Sequence, residues 1–304
     1  MQRLVIVLFG IAVSAGVTVG GDAPVRTAAI LALDADRGVR ELASIPGYPI
    51  INSPEISNDG EWVAVDGWQA DQDLRDARVL VVNVESAEVR DLGPGAMPTF
   101  SPGGHRLVIS RYGNGGEGGV WVLNMDGADA VFVKPDGWSG RWSPDGRQIA
   151  WTTSHNGNAA IEVMDIIEGI RHTVFEGDEA TRYARVYWNF CWSPDSKAIC
   201  FKGRLQNGGD EVAIVDVRGS RRGFKVRLSG ATAAQFNPDI AWHPGGSRIA
   251  MPKKSQAGEP GQIYEFDPSR DDEPTRLEGQ PANRHNGGMC WSPDGRTLVF
   301  LSRG

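Results

Sequence analysis

The chain has 304 residues, a formal net charge of −7, 40% hydrophobic residues and 23% charged residues. That length and hydrophobic fraction are ample for a large buried core. The negative charge argues against a nucleic-acid partner, because binding to a phosphate backbone requires clustered Lys and Arg. The two short basic clusters, at residues 218–227 and at Lys253-Lys254, are more typical of solvated loops.

The N-terminal segment has the pattern of an export signal. Arg3 precedes an apolar run at residues 4–13, and small residues follow as far as Gly21. This order is typical of a signal peptide, and cleavage before Asp22 would release a periplasmic or secreted chain with no membrane span. The alternative is an uncleaved membrane anchor, although the stretch from 4 to 19 is shorter than the roughly 20 residues of a spanning helix. We therefore predict a signal peptide at 1–21.

Two short strands, at residues 28–36 and 39–42, precede a ten-residue unit that occurs six times. Its clearest copies, at 142–151 and 291–300, read Trp-Ser-Pro-Asp-Gly-Arg and then an apolar run. Pro presets φ and Gly accepts a positive φ, so the polar part predicts a tight hairpin turn. The apolar run predicts a strand that is covered on both faces. The units begin at residues 56, 100, 142, 192, 242 and 291.

Each of the first five units is followed by a Val-rich strand and then by a short partner strand. The Val-rich strands lie at 79–84, 119–127, 161–165, 211–216 and 262–267. The repeat is therefore four strands long. Consecutive units begin at intervals of 42 to 50 residues, which is typical of a β-propeller.

The two ends of the chain predict how the ring closes. The strands at 27–42 have no turn unit before them, and the last unit has no strands after it. If the two segments share one blade, the ring is complete and leaves no exposed sheet edges. We therefore predict an all-β fold with one domain at 22–304. It is a six-bladed propeller with four antiparallel strands per blade, in which residues 27–42 complete the blade formed by 289–302.

Three cysteines lie at equivalent or facing positions of the repeat. Cys191 and Cys200 flank one turn and are predicted to lie directly across from each other, and Cys290 occupies the position of Cys191 in another unit. Buried thiols and a disulfide between Cys191 and Cys200 both remain open. Cross-strand β-carbons about 4.5–5.5 Å apart are wider than a disulfide prefers, which favours the thiols.

The repeats resemble the WD40-like repeats of the TolB propeller family. The resemblance is carried by the Trp-Ser-Pro-Asp-Gly-Arg units at 142–147 and 291–296, by Trp-Ser-Pro-Asp at 192–195 and by Val-Leu-Asn-Met-Asp-Gly at 122–127. It extends over about residues 27–302. It implies six blades and, for TolB itself, periplasmic protein contacts within a cell-envelope complex. Similar propellers also accompany serine peptidases and some polysaccharide lyases.

The loops at one end of the ring hold the candidate binding residues. These loops enter the first strand or leave the second strand of each blade, so they surround one mouth of the central channel. Arg, Asn, His and aromatic side chains at a channel mouth are suited to a carbohydrate or an anion. The candidate ligand-binding residues are Arg111, His155, Arg182, Tyr187, Trp188, Asn189, Asp239, His285 and Asn286.

A structural role for these loop residues is the alternative. His155 and His285 come from different blades and lack a clear third ligand, so neither a metal nor a cofactor is predicted. Tyr187 and Trp188 fall outside the repeat register, which favours a contact surface. The tryptophans that open four of the units are in register and are predicted to pack between blades: Trp142, Trp192, Trp242 and Trp291.

Two functions are compatible with this sequence. The first is a non-enzymatic, exported propeller that scaffolds protein contacts at the cell envelope, with an envelope or secreted protein as its partner. The second is a carbohydrate-active lyase or hydrolase with its site at the channel mouth, for which Asp239 and His285 are the best acid and base. An enzyme is the less favoured prediction, because propeller peptidases need a hydrolase domain with Gly-x-Ser-x-Gly, which this sequence lacks.

Overall fold

The computed structural model describes residues 28–34, 36, 38–113, 118–218, 223–255, 258–270 and 272–304. The predicted signal segment at 1–21 lies outside them. Within the described residues, antiparallel strands form six sheets, and each sheet is one blade of a propeller. The predicted all-β, six-bladed fold with four strands per blade is confirmed; blade 4 differs only in that its first strand is split in two.

The blades follow one another along the chain. Blade 1 is β3 (Ile50–Ile56), β4 (Trp62–Trp68), β5 (Arg78–Asn83) and β6 (Val89–Pro94). Blade 2 is β7 (Ala96–Phe100), β8 (Arg106–Arg111), β9 (Gly119–Asn124) and β10 (Val131–Lys134). Blade 3 is β11 (Trp138–Trp142), β12 (Gln148–His155), β13 (Asn158–Asp165) and β14 (Arg171–Thr173).

The second half of the ring has the same plan. Blade 4 is β15 (Tyr183–Val186) and β16 (Cys191–Trp192), then β17 (Ala198–Leu205), β18 (Asp210–Asp216) and β19 (Phe224–Ser229). Blade 5 is β20 (Ala241–Trp242), β21 (Ile249–Lys253), β22 (Gln262–Phe266) and β23 (Thr275–Arg276). Blade 6 is β24 (His285–Trp291) and β25 (Thr297–Arg303), completed by β1 (Ala29–Asp34) and β2 (Gly38–Ala43).

In the part of the chain that the structure describes, helix is confined to three short segments. Two are 3₁₀ turns, at Leu74–Asp76 and Gly177–Thr181, and one is the short helix α1 (Gly230–Ala234). Among the described residues, no helix combines the length and the apolar character that a membrane crossing requires.

The turn units fold as the sequence predicts, and a side-chain network holds each of them. In blade 3 the Ser143 hydroxyl donates to Asp145 at 2.6 Å and accepts the Gln148 N–H at 2.9 Å. Asp145 also accepts the Arg147 N–H at 3.0 Å, and Gly146 has a φ of +72°. The same serine–aspartate bond recurs in the pairs Ser57–Asp59, Ser193–Asp195 and Ser292–Asp294. The Ser-Pro-Asp-Gly sequence is therefore turn chemistry.

The core of the described residues consists of seven apolar clusters, and six of them each lie between two consecutive blades. Trp192, for example, packs with Ile161 of blade 3 and Ile199 of its own blade. The predicted packing of the four unit tryptophans between blades is confirmed, because each belongs to a different one of these clusters. Every blade thus covers the apolar face of its neighbour.

The ring closes through strands from opposite ends of the chain. Strand β1 pairs with β25 in an unbroken antiparallel register from Ala29 opposite Ser302 to Asp34 opposite Thr297. Ile30 is fully buried and packs with Val299 of the same blade and Ile51 of blade 1. The predicted closure by residues 27–42 is confirmed over the described strands.

We expect Ile30→Ala to lower the free energy of unfolding by about 2–5 kcal/mol, because it leaves a cavity where the ring closes. Val39→Ala is the matched control, since Val39 lies on β2 of the same blade but is 37% exposed; it should change stability by less than about 0.5 kcal/mol. Chemical denaturation of the full chain measures both. Equal midpoints for Ile30→Ala and the wild type would contradict this closure.

Candidate functional site

The first strands of the six blades line a central channel. We call the end of the channel at the six turn units the turn end and the opposite end the loop end. A cavity of about 380 Å³ occupies the turn end, and every blade contributes to it. Its walls include the first and the third residue of each turn unit. The first residues are Ile56, Phe100, Trp142, Trp192, Trp242 and Trp291. The third residues are Asn58, Pro102, Pro144, Pro194, Pro244 and Pro293.

The tryptophans of this wall differ in how their indole N–H groups are used. The Trp192 N–H donates to the Arg141 carbonyl at 3.2 Å, and the Trp242 N–H donates to the Gly246 carbonyl at 3.0 Å. The indole nitrogens of Trp142 and Trp291 are buried and have no partner. An unpaired buried donor costs free energy, so the two indoles are places where an added acceptor would stabilise the protein.

An ion pair crosses the inner part of the cavity. The Arg141 guanidinium of blade 3 lies 3.4 Å from the Glu55 carboxylate of blade 1 and donates to the Asn189 side chain of blade 4 at 3.0 Å. Burial raises the pKa of Glu55, and Arg141 opposes that shift. Three blades are thereby joined inside the channel.

A belt of backbone bulges lies one level further toward the loop end. The residue three positions before each turn unit has a positive φ in five blades: Ser53, Met97, Ser139, Asn189 and Gly288. In blade 5 this position is Asp239. Bulges free backbone N–H groups from the sheet ladder, so these groups can bond to neighbouring blades.

Asn189 and Asp239, both predicted site residues, meet in this belt. The Asn189 side-chain amide donates to the Asp239 carboxylate at 2.5 Å, and its backbone N–H donates to the Ser139 hydroxyl at 3.2 Å. Burial raises the pKa of Asp239, while hydrogen bonds from Asn189 and from the Gly288 N–H oppose the shift. The carboxylate is therefore engaged on both sides within the channel wall.

Asp66 is the second buried acid at this level. It is fully buried, accepts the Met97 N–H at 2.8 Å, and its other oxygen has no partner. Burial raises the pKa of Asp66 to about 6. The nearby Arg303 donates to the Ile51 carbonyl and to Asn52 at 2.5 and 2.7 Å; its pKa is lowered by burial, which the charges of Asp239 and Asp66 oppose.

Aromatic side chains cluster at the loop end of the channel. Trp188, another predicted site residue, packs with Trp68, Met97 and Trp138 in one cluster that draws on four blades. Tyr112 adds its ring at 4.3 Å from Trp138. The residues that line the 380 Å³ cavity include none of these side chains, so the space in the channel lies at the turn end.

Three further predicted residues, Arg111, Arg182 and Tyr187, belong to blades 2 and 4. Arg111 donates to the Pro94 carbonyl at 3.1 Å and stacks 4.7 Å from the Trp121 ring. Arg182 pairs with Glu211 at 2.7 Å. The Tyr187 hydroxyl lies 3.4 Å from Asp210, and its ring contacts Trp188 edge to face.

The other three lie on blades 3 and 6. His155 is exposed in the hairpin between β12 and β13. His285 accepts the Gly261 N–H at 3.0 Å through Nδ1. Asn286 is buried and donates to the Pro281 carbonyl at 2.7 Å. Of the nine predicted residues, the structure pairs Asn189 with Asp239 and Tyr187 with Trp188, and the other five bond to residues elsewhere or are exposed.

The described residues contain no group of three His, Cys, Asp or Glu side chains that could hold a metal ion. Cys191 and Cys200 are directly opposite each other in β16 and β17, and both are free thiols, as is Cys290. Burial raises the thiol pKa of Cys200 and of Cys290. A raised thiol pKa makes a poor nucleophile.

Sequence reasoning did not find the turn-end cavity or its ion pair. The repeat register could have indicated the ion pair, because Glu55 and Arg141 occupy the same position, one residue before their turn units. The equivalent residues in the other blades are uncharged: Thr99, Cys191, Ala241 and Cys290.

The closed ring and its channel define a six-bladed β-propeller of the TolB type. A putative TolB from Agrobacterium tumefaciens has a TM-score of 0.68 at 17% identity, over 91% of this chain and 98% of the other. TolB from Acinetobacter baumannii has a TM-score of 0.60 at 15% identity, and the match covers 90% of this chain and 63% of the other. A chain of a nidogen/laminin complex has a TM-score of 0.56 at 10% identity, and the match covers 81% of this chain and 91% of the other.

The sequence matches no protein-family model, and it matches none of the curated proteins. The similarity therefore lies in the structure, and it establishes that this chain has the TolB-like propeller fold.

The pKa of Asp66 predicts a pH-dependent stability. Because folding raises this pKa, the folded protein binds the proton more tightly, and the free energy of unfolding falls as the pH rises through 6. Asp66→Asn removes this titrating group. The free energy of unfolding of the variant, relative to that of the wild type, should therefore be about 2 kcal/mol higher at pH 7 than at pH 4.

Urea denaturation at several pH values measures this difference. Asp71→Asn is the control, since Asp71 is exposed. A plot of its free energy of unfolding against pH should run parallel to the plot for the wild type. A curve for Asp66→Asn that is also parallel would show that Asp66 does not titrate in this range.

Proposed function

We propose that this chain is a non-enzymatic, TolB-like propeller that is exported and binds another protein at the cell envelope. The observation that carries the proposal is an exposed apolar turn between β13 and β14. Ile166, Ile167 and Ile170 are 39%, 75% and 60% exposed. Aliphatic side chains clustered on a surface mark a site of interaction more often than a feature of the fold.

The fold does not require these isoleucines. The Asp165 side chain accepts the backbone N–H groups of Ile167 and Glu168 at 3.0 and 3.1 Å, and Gly169 supplies a φ of +70°. The turn is thus held by its backbone and by Asp165. The positions of Ile167 and Ile170 are polar or small in other blades, which read Glu-Ser-Ala-Glu at 85–88 and Asp-Gly-Ala-Asp at 126–129. The position of Ile166 is apolar in those blades as well, with Val84 and Met125.

The apolar exposure continues on the neighbouring blade. Arg171, next to Ile170, donates to the Val133 carbonyl of β10 at 3.1 Å. On that strand Val131 is 58% exposed and Phe132 is 40% exposed. This hydrogen bond joins the outer edges of blades 2 and 3, which together offer a partner an apolar surface. We call it the isoleucine surface: Val131, Phe132, Ile166, Ile167 and Ile170.

The similarity to TolB structures supports a role in protein contacts, and one of the similar chains belongs to a nidogen/laminin complex. A carbohydrate-active enzyme would use Asp239 and His285 as acid and base. Asp239 is buried and bonded to Asn189, and His285 is bonded to the Gly261 N–H. No observation on the described residues favours that second function.

Export is proposed from the signal-like pattern of residues 1–21, and the mature chain is proposed to begin at Asp22. We expect the intact mass of the protein recovered from the periplasm or the medium to match residues 22–304. Recovery in the membrane fraction with residues 1–21 retained would instead indicate an anchor.

Partner binding should depend on the isoleucine surface. The tagged full chain is used to capture partners from envelope extract of the source organism, in parallel with the variant Ile167→Glu/Ile170→Glu. We expect the variant to retain at least tenfold less of the specific partner, because two charges would be desolvated in an apolar contact.

The matched control is Val39→Glu/Val89→Glu, which places the same charges at exposed valines on other blades. It should retain the partner as the wild type does. Recovery of no partner by the wild type, or equal recovery by the wild type and the isoleucine variant, would count against the proposal.

A further inference from the structure

A second cavity, outside the channel, carries an excess of positive charge. We propose that it binds a small phosphorylated or sulfated molecule through its tetrahedral oxyanion. The cavity has a volume of about 370 Å³ and lies on blade 5. Its lining residues are Lys253, Lys254, Glu259, Pro260, Gln262, Tyr264, Arg276 and Ala282.

Strand register places the polar residues of this cavity on one face of the sheet. Lys253 lies opposite Gln262 in β21 and β22, and Tyr264 lies opposite Arg276 in β22 and β23. Because side chains alternate along a strand, Gln262 and Tyr264 point to the same side, as do their partners. Tyr264 packs against the cluster between blades 4 and 5, so this face is turned toward blade 4.

Three cations line the cavity, and a neutral group holds each of them. The Lys253 ammonium lies 5.1 Å from the centre of the Tyr264 ring. The Lys254 ammonium donates to the Ala234 carbonyl at 2.7 Å, and the Arg276 guanidinium donates to Gln262 at 2.8 Å. None of the three forms an ion pair with a carboxylate of the described residues.

Gln262 fixes the position of the guanidinium. It is only 8% exposed, and its amide nitrogen donates to the carbonyls of Gly261, Pro281 and Arg284 at 3.1, 3.3 and 2.8 Å. These bonds turn its oxygen toward Arg276. A charged group that is already oriented loses less entropy when it binds a ligand.

The three cations of the cavity favour an oxyanion with several acceptor oxygens. Three cations that share one cavity repel each other, and only Glu259 among the lining residues is acidic. A phosphate or sulfate group offers several acceptor oxygens to the ammonium and guanidinium donors, whereas a single carboxylate offers two. The volume also leaves room for an organic group beside Tyr264, with Glu259 available to accept from hydroxyls.

The test uses isothermal titration of the full chain at low ionic strength with glucose 6-phosphate, glucose 6-sulfate and glucose. We expect both charged sugars to bind and glucose not to bind, and the tighter of the two identifies the preferred oxyanion. Arg276→Gln and Lys253→Gln should each weaken binding by about tenfold or more.

Arg106→Gln is the control, since Arg106 is an exposed arginine on blade 2; it should bind as the wild type does. Circular dichroism and thermal unfolding verify that all variants are folded. Absence of binding by both charged sugars at millimolar concentration would overturn the proposal, as would an equal loss of affinity in Arg106→Gln, which would indicate binding to surface charge in general.

Discussion

Each sheet of this protein has two apolar faces and can cover neither of them by itself. The six apolar clusters show how this constraint is met, since each lies between two consecutive blades. A linear stack would leave two faces exposed to water, and a ring leaves none. The pairing of β1 with β25 therefore stabilises every blade, because it holds the ring shut. The regular spacing of the units and the packing of their tryptophans between blades both follow from this arrangement.

The channel brings charged groups together in the middle of the ring. Buried charges are costly unless they are paired or hydrogen-bonded. The backbone bulges supply part of the compensation: the Met97 N–H donates to Asp66, and the Gly288 N–H to Asp239. Arg141 and Glu55 compensate each other across the channel. The polar residues at these levels accordingly serve to join the blades, and a cavity lies at the turn end.

Two surface features depart from what the fold requires. The turn at 166–170 carries Ile167 and Ile170 where blades 1 and 2 have polar or small residues, although its hydrogen bonds come from the backbone and from Asp165. The cavity of blade 5 collects three cations in a chain whose net charge is −7. Neither feature improves the packing of a blade. We propose that each serves contact with another molecule: an apolar protein surface in the first case and an oxyanion in the second.

The sequence by itself determined the repeat, the turns and the closure of the ring. Those features depend on local chemistry, namely the φ preferences of Pro and Gly and the alternation of apolar runs, and on counting strands at the two ends. The channel was decided only by the tertiary structure. Asn189 and Asp239 are 50 residues apart and meet because their blades are adjacent, whereas Arg182 and Arg111 turn to partners on their own or a neighbouring blade. Trp188 packs with side chains of three other blades at the loop end of the channel, and the cavity of about 380 Å³ lies at the turn end. The position of a cavity along the channel depends on side-chain packing between distant blades. No periodicity along the chain encodes that packing.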